Sequence, residues 1–105
     1  MQQYIVQGWD GKDDNALERR MANRHAHLEN ARDWKQKGNY IMGAALLSDE
    51  GKMIGSSMIV QFETPAELQQ WINTEPYVTG KVWERYDVYP VRLADLDKYF
   101  AELNK

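Results

Sequence analysis

The alternation of apolar and polar positions changes period several times along the chain, and each change marks an element. From Gln2 to Gly8 the period is two, with Tyr4 and Val6 on one side and Ile5 on the other, which predicts a short strand. Asp10-Gly11-Lys12-Asp13-Asp14 is loop chemistry, and Asp13, Asp14 or Asn15 can cap a helix beginning at Ala16. Between Ala16 and Lys37 the apolar residues Leu17, Met21, Leu28 and Ala31 recur near every third or fourth position, predicting a helix that Gly38 stops. Tyr40 to Leu47 is almost continuously apolar or small and reads as a central strand. A turn at Ser48-Asp49-Glu50-Gly51-Lys52 leads into a third strand from Met53 to Glu63, so a hairpin is expected, with Gly55 marking a bulge or bend. Thr64-Pro65-Ala66-Glu67 is a helix start: Thr64 can cap, Pro65 suits the first helical position, and Glu67 can complete a capping box. Leu68, Trp71 and Ile72 give this helix an apolar face, and it must end before Pro76. Lys81 to Val91 is a fourth strand, expected to carry Trp83 and Tyr89 on one face and Tyr86 and Val88 on the other. Leu93 to Leu103 closes the chain as a helix, with Leu96, Phe100 and Leu103 at helical spacing.

The order strand, helix, strand, strand, helix, strand is the split β-α-β arrangement of a ferredoxin-like α+β fold with an antiparallel sheet. Its helices lie on one face, so the other face needs a cover, and a second copy of the chain is the simplest one. No repeat, linker or low-complexity tract interrupts residues 1–105, which read as one domain with 93–105 as a helical extension.

Composition narrows the function classes. A formal net charge of -3 with interspersed signs argues against a nucleic-acid surface, which needs a basic patch. The absence of cysteine removes disulfides, thiolate nucleophiles and zinc ribbons together. No stretch is apolar enough to span a bilayer, and Met1-Gln2-Gln3 lacks signal-peptide character, so a cytoplasmic protein with no membrane partner is expected. Four Trp and six Tyr exceed the needs of a minimal core and leave some for a pocket or a subunit interface.

The candidate chemistry is a histidine and a carboxylate. Glu75 precedes Pro76, whose ring restricts both its own backbone and that of Glu75, so the carboxylate is held in a fixed direction. It is either a surface carboxylate before a proline turn or the partner of an upstream imidazole. On a wheel of about 100° per residue, Leu17, Met21, Arg24, Leu28 and Ala31 form one stripe, with His27 at its edge. Arg24 there is either an anion clamp or an arginine with its stem packed and its head in water. His27 is either a satisfied edge residue or an acid/base group. His25 projects elsewhere, since residues two apart on a helix do not face each other, so the two histidines share no metal site.

These residues resemble the YCII-related (YciI-like) family. The resemblance runs through Arg24, His27 and Leu28, the Gly38 after the helix, Ser56-Ser57-Met58-Ile59, Phe62, the Glu75-Pro76-Tyr77-Val78 element, and the aromatic strand ending near Pro90. It spans roughly residues 2–92. It implies a dimeric α/β barrel in which two subunits pack sheet to sheet, and a His–Asp pair in a cleft. Some members act on ring compounds in aromatic degradation. Carried across, the histidine falls on His27 and the aspartate on Glu75, a departure that keeps the charge and adds a methylene. The family's Gly-Pro in the second strand is replaced by Ala44-Ala45, and Gly80 is shifted.

The expectation is therefore a homodimeric enzyme of lyase or isomerase type acting on a small, anionic, cyclic or enolisable molecule. His27 would move a proton, Glu75 would orient it, Arg24 would hold the substrate's negative group, and Tyr77 and Ser57 would be wall contacts. The residues call for no metal and no organic cofactor. The rival expectations are a module that binds a small ligand without turning it over, and a dimer in which the His27–Glu75 pair is only structural.

Overall fold

The computed structural model describes residues 1–104. Along the chain run β1 (Gln2–Asp10), α1 (Ala16–Gln36), β2 (Tyr40–Leu47), β3 (Met53–Phe62), α2 (Pro65–Thr74), α3 (Pro76–Thr79), β4 (Trp83–Val91) and α4 (Leu96–Leu103). The strands form one sheet in the order β2-β3-β1-β4, with every neighbouring pair antiparallel. The architecture is ferredoxin-like α+β. No helix among the described residues is long and apolar enough to cross a membrane.

The termini of the elements obey local chemistry. Gly38 takes a φ of 87° just past α1, a conformation that costs a residue without Cβ little. At α2 the Thr64 hydroxyl accepts the Glu67 backbone N–H at 3.2 Å, and Pro65 sits where its missing N–H is not needed. At α1, Asn15 occupies the cap position without a side-chain cap, and the nearby Asp13 is engaged by Arg19 at 2.8 Å instead.

Alternation decides which side chains enter the core. Tyr4, Val6, Gly8 and Asp10 of β1 point toward the helices together with Ser56, Met58, Val60 and Phe62 of β3. Leu68, Trp71 and Ile72 of α2 close over them, and Tyr77, Val82 and Trp83 complete the cluster.

Four expectations are corrected. β2 is an edge strand, and β1 and β3 are the central pair. Its apolar run signalled burial, yet Met42 and Leu47 are largely exposed in the single chain. In β4, Trp83 lies on the helix side with Tyr86 and Val88, while Tyr89 lies on the open side; a register shift opposite Trp9 and Asp10 inserts a residue and flips the parity of the residues before it. Of the α1 stripe, Leu17 and Met21 are largely exposed and Leu28 lies half-exposed at the cavity, while the buried residues of that helix are Arg20 and His27. The closing helix starts at Leu96, where Asp95 accepts the Lys98 N–H, and none of its residues is buried.

Candidate active site

Two chain segments meet where α1 passes the corner between α2 and α3. Pro76 ends α2 and leaves Glu75 extended, at φ -66° and ψ 122°, as a proline demands of its predecessor. From there the Glu75 side chain folds back: Oε1 accepts the Tyr77 backbone N–H at 3.2 Å and meets Nδ1 of His27. Glu75 is 1% exposed and His27 7%. Against an ionised Glu75, which only accepts, it is Nδ1 that would carry the proton, leaving the Nε2 lone pair free in a neutral ring.

The His27 ring stacks on Tyr77, with centroids 4.0 Å apart and planes 12° from parallel. The Arg20 guanidinium in turn lies 4.6 Å from the Tyr77 centroid. Arg20 is itself buried. Its Nη1 donates to both oxygens of Asp10 at 3.0 and 3.2 Å, and its Nη2 donates to the Ser56 hydroxyl at 2.9 Å. Burial pushes the Asp10 carboxyl above its ordinary range, against the pull of Arg20. Burial also raises the Tyr77 hydroxyl, with Arg20 and Arg24 opposing it.

Arg20, His27 and Tyr77 border an open cavity of about 220 Å³, whose other wall is the helix-facing side of β2 and β3; Glu75 and Asp10 lie behind them. The cavity is smaller than a typical drug-sized pocket, which limits any ligand to a compact molecule. Of the residues expected from sequence, His27 and Glu75 are in contact, Tyr77 lies against His27, and Arg24 stands at the cavity rim without an ion-pair partner among the described residues. Ser57 does not belong to the wall. It alternates onto the open face of the sheet, opposite Gln7, and its neighbour Ser56 lines the cavity. His25 is exposed and pairs with Glu29 at 3.0 Å. Among the described residues no group of three or more His, Cys, Asp or Glu is placed to hold a metal ion.

Three further residues of the site are not singled out by the sequence reading. Asp10 and Arg20 lie on the inward sides of their elements: Asp10 extends the Tyr4-Val6-Gly8 alternation, and Arg20 is seven residues from His27, two turns along one helix face. Those spacings were the available signal. Tyr40 has no such signal, since its place depends on the pairing of β2 with β3.

Comparison with known proteins bears on the family and the fold. The family model for the YCII-related domain matches residues 9–92. Protein YciI of Escherichia coli is 30% identical over 95 residues, covering 85% of this chain and 95% of the relative; the Shigella flexneri protein of the same name matches equally. Among solved structures, 5-chloro-2-hydroxyhydroquinone dehydrochlorinase TftG from Burkholderia phenoliruptrix, in complex with 2,5-dihydroxybenzoquinone, superposes with a TM-score of 0.74. It is 19% identical, over 90% of this chain and 97% of that one. An antibiotic biosynthesis monooxygenase superposes at 0.54 with 12% identity, over 90% and 99%. Both structures share the ferredoxin-like fold of dimeric α/β barrels.

Proposed function

The chain belongs to the YCII-related family, and from that premise we propose that it is a small cytoplasmic homodimer that catalyses a lyase- or isomerase-type proton transfer on an acidic ring compound. The observation that carries this reading is the buried contact of His27 Nδ1 with Glu75 at the edge of an open cavity. With Nδ1–H held by the carboxylate, Nε2 is the base. It takes a proton from the substrate, and Glu75 stabilises the imidazolium that forms. Arg24, at the rim and without an ion-pair partner among the described residues, holds the substrate's negative group. Tyr77 packs behind the imidazole and limits its rotation.

TftG is a dehydrochlorinase of a chlorinated hydroxyhydroquinone, which makes such rings and their quinones the first compounds to try. Homodimerisation is supported by the sheet face away from the helices, where Ile5, Trp9, Ile59 and Tyr89 are only partly covered by their own chain.

The test is turnover of chlorinated hydroxyhydroquinones and lactones by the wild type, His27→Ala and Glu75→Gln. Loss of a positioned acid/base group lowers the rate about 10²- to 10⁴-fold. Turnover by His27→Ala at the wild-type rate would remove His27 from the mechanism. A ligand-induced rise in melting temperature with no turnover of any compound would make the protein a binding module instead.

A further inference from the structure

We propose that Tyr40 is a second substrate-contacting residue of this cavity, donating its hydroxyl hydrogen bond to the substrate oxygen that gains negative charge when His27 takes the proton. The inference rests on the functional reading above. Tyr40 begins the edge strand β2 and lines the same cavity as His27 and Arg24. Its ring lies along the strand, so that the hydroxyl sits over Gly43, and a Cβ at that position would occupy the hydroxyl's space. Among the described residues, the hydrogen bonds around the cavity run through Arg20, Asp10, Ser56, His27 and Glu75, and the Tyr40 hydroxyl takes part in none of them. It is thus a polar group at a small-molecule cavity with its donor unspent. Burial, reinforced by Glu75 and Tyr77, pushes the hydroxyl up to about 12, so near neutral pH it keeps its proton and can donate.

The chemistry balances without a further reactant. The substrate's C–H or O–H bond breaks, the proton moves to His27 Nε2, and the electron pair left behind comes to rest on a ring oxygen. Tyr40 steadies that oxygen and retains its own proton. A catalytic pair on one wall and a neutral donor on another favour a substrate with two functions across one ring, such as a hydroxyquinone.

The experiment is an absorbance titration of wild type, Tyr40→Phe and Gly43→Ala with 2,5-dihydroxybenzoquinone, whose visible band responds to hydrogen bonding at its oxygens. Wild type is expected to bind and to shift the band. Tyr40→Phe is expected to bind roughly tenfold more weakly, as for loss of a hydrogen bond to a charged group, with the shift reduced. A merely structural role for Tyr40 would leave the bound band where it is. Equal affinity and an equal band in Tyr40→Phe overturn the role of Tyr40 while leaving the His27–Glu75 reading intact. Failure of the wild type to bind overturns the reading of the site as one for acidic rings, and this inference with it. If Tyr40→Phe does not fold, Gly43→Ala decides: its methyl displaces the hydroxyl, so the same loss is expected, and wild-type affinity and band there overturn the proposal.

Discussion

The two long helices on the sheet obey opposite rules. α2 turns Leu68, Trp71 and Ile72 inward, as its hydrophobic periodicity requires. α1 turns Arg20 and His27 inward and leaves Met21 50% and Leu28 47% exposed. One helix seals a core and the other walls a cavity. The polar side chains that α1 buries are tolerable because each has at least one partner, although Arg20 Nε has none: Arg20 has Asp10 and Ser56, and His27 has Glu75. Apart from Trp34, which packs edge-on against Phe62, the inward residues of α1 are polar, and their partners mark the site.

The largest expected effect tests the sealing helix. Trp71 is 1% exposed and packs on Phe62 with ring centroids 6.0 Å apart. Trp71→Ala should cost about 3–5 kcal/mol in urea unfolding, a large part of the stability of a domain this size. A loss below about 1 kcal/mol would mean that α2 does not seal the core.

The next effect tests the cavity helix. Asp10→Val alone leaves the Arg20 guanidinium buried without its carboxylate and should cost about 3 kcal/mol. Adding Arg20→Met replaces the pair by apolar groups and should restore most of that stability. Binding at the cavity should be weaker than in the wild type, because the Arg20 guanidinium that lines it beside Tyr77 is gone. A double variant as unstable as the single one would show that the cost lies in the packing of the wall and not in an unpaired charge.

The same contrast explains what could be read from the chain. The order of elements, the Thr64-Pro65 start and the Gly38 stop were legible because each depends on neighbours in sequence. So was the fixed direction of Glu75, set by Pro76. The wall of the cavity was not. Whether Ser56 or Ser57 faces the helices depends on pairing with β1, and a one-residue difference decides it. The faces of β4 are not legible either, because its register shift has no signature in the sequence. On α1 the apolar stripe drew attention to Arg24, when the spacing that mattered was the seven residues from Arg20 to His27. β2 looked central because apolar runs signal burial without saying which molecule provides the cover.

The smallest expected effect is the most discriminating. If the outward stripe of α1 faces solvent, then Met21→Gln removes almost no buried surface. Met and Gln also have nearly equal helix propensity, so the backbone contributes nothing either. The variant should unfold within about 0.5 kcal/mol of wild type, as surface substitutions do, and sedimentation should show an unchanged oligomeric state. A cost of about 2 kcal/mol or more, or a change of oligomeric state, would mean that the stripe is covered by another copy. Both faces of α1 would then be buried, and the helix would be a core element on one side as well as a cavity wall on the other. Near-neutrality would instead fix the difference between the helices: α2 is held by the apolar face it buries, and α1 by Trp34 against Phe62 together with the polar partners of Arg20 and His27.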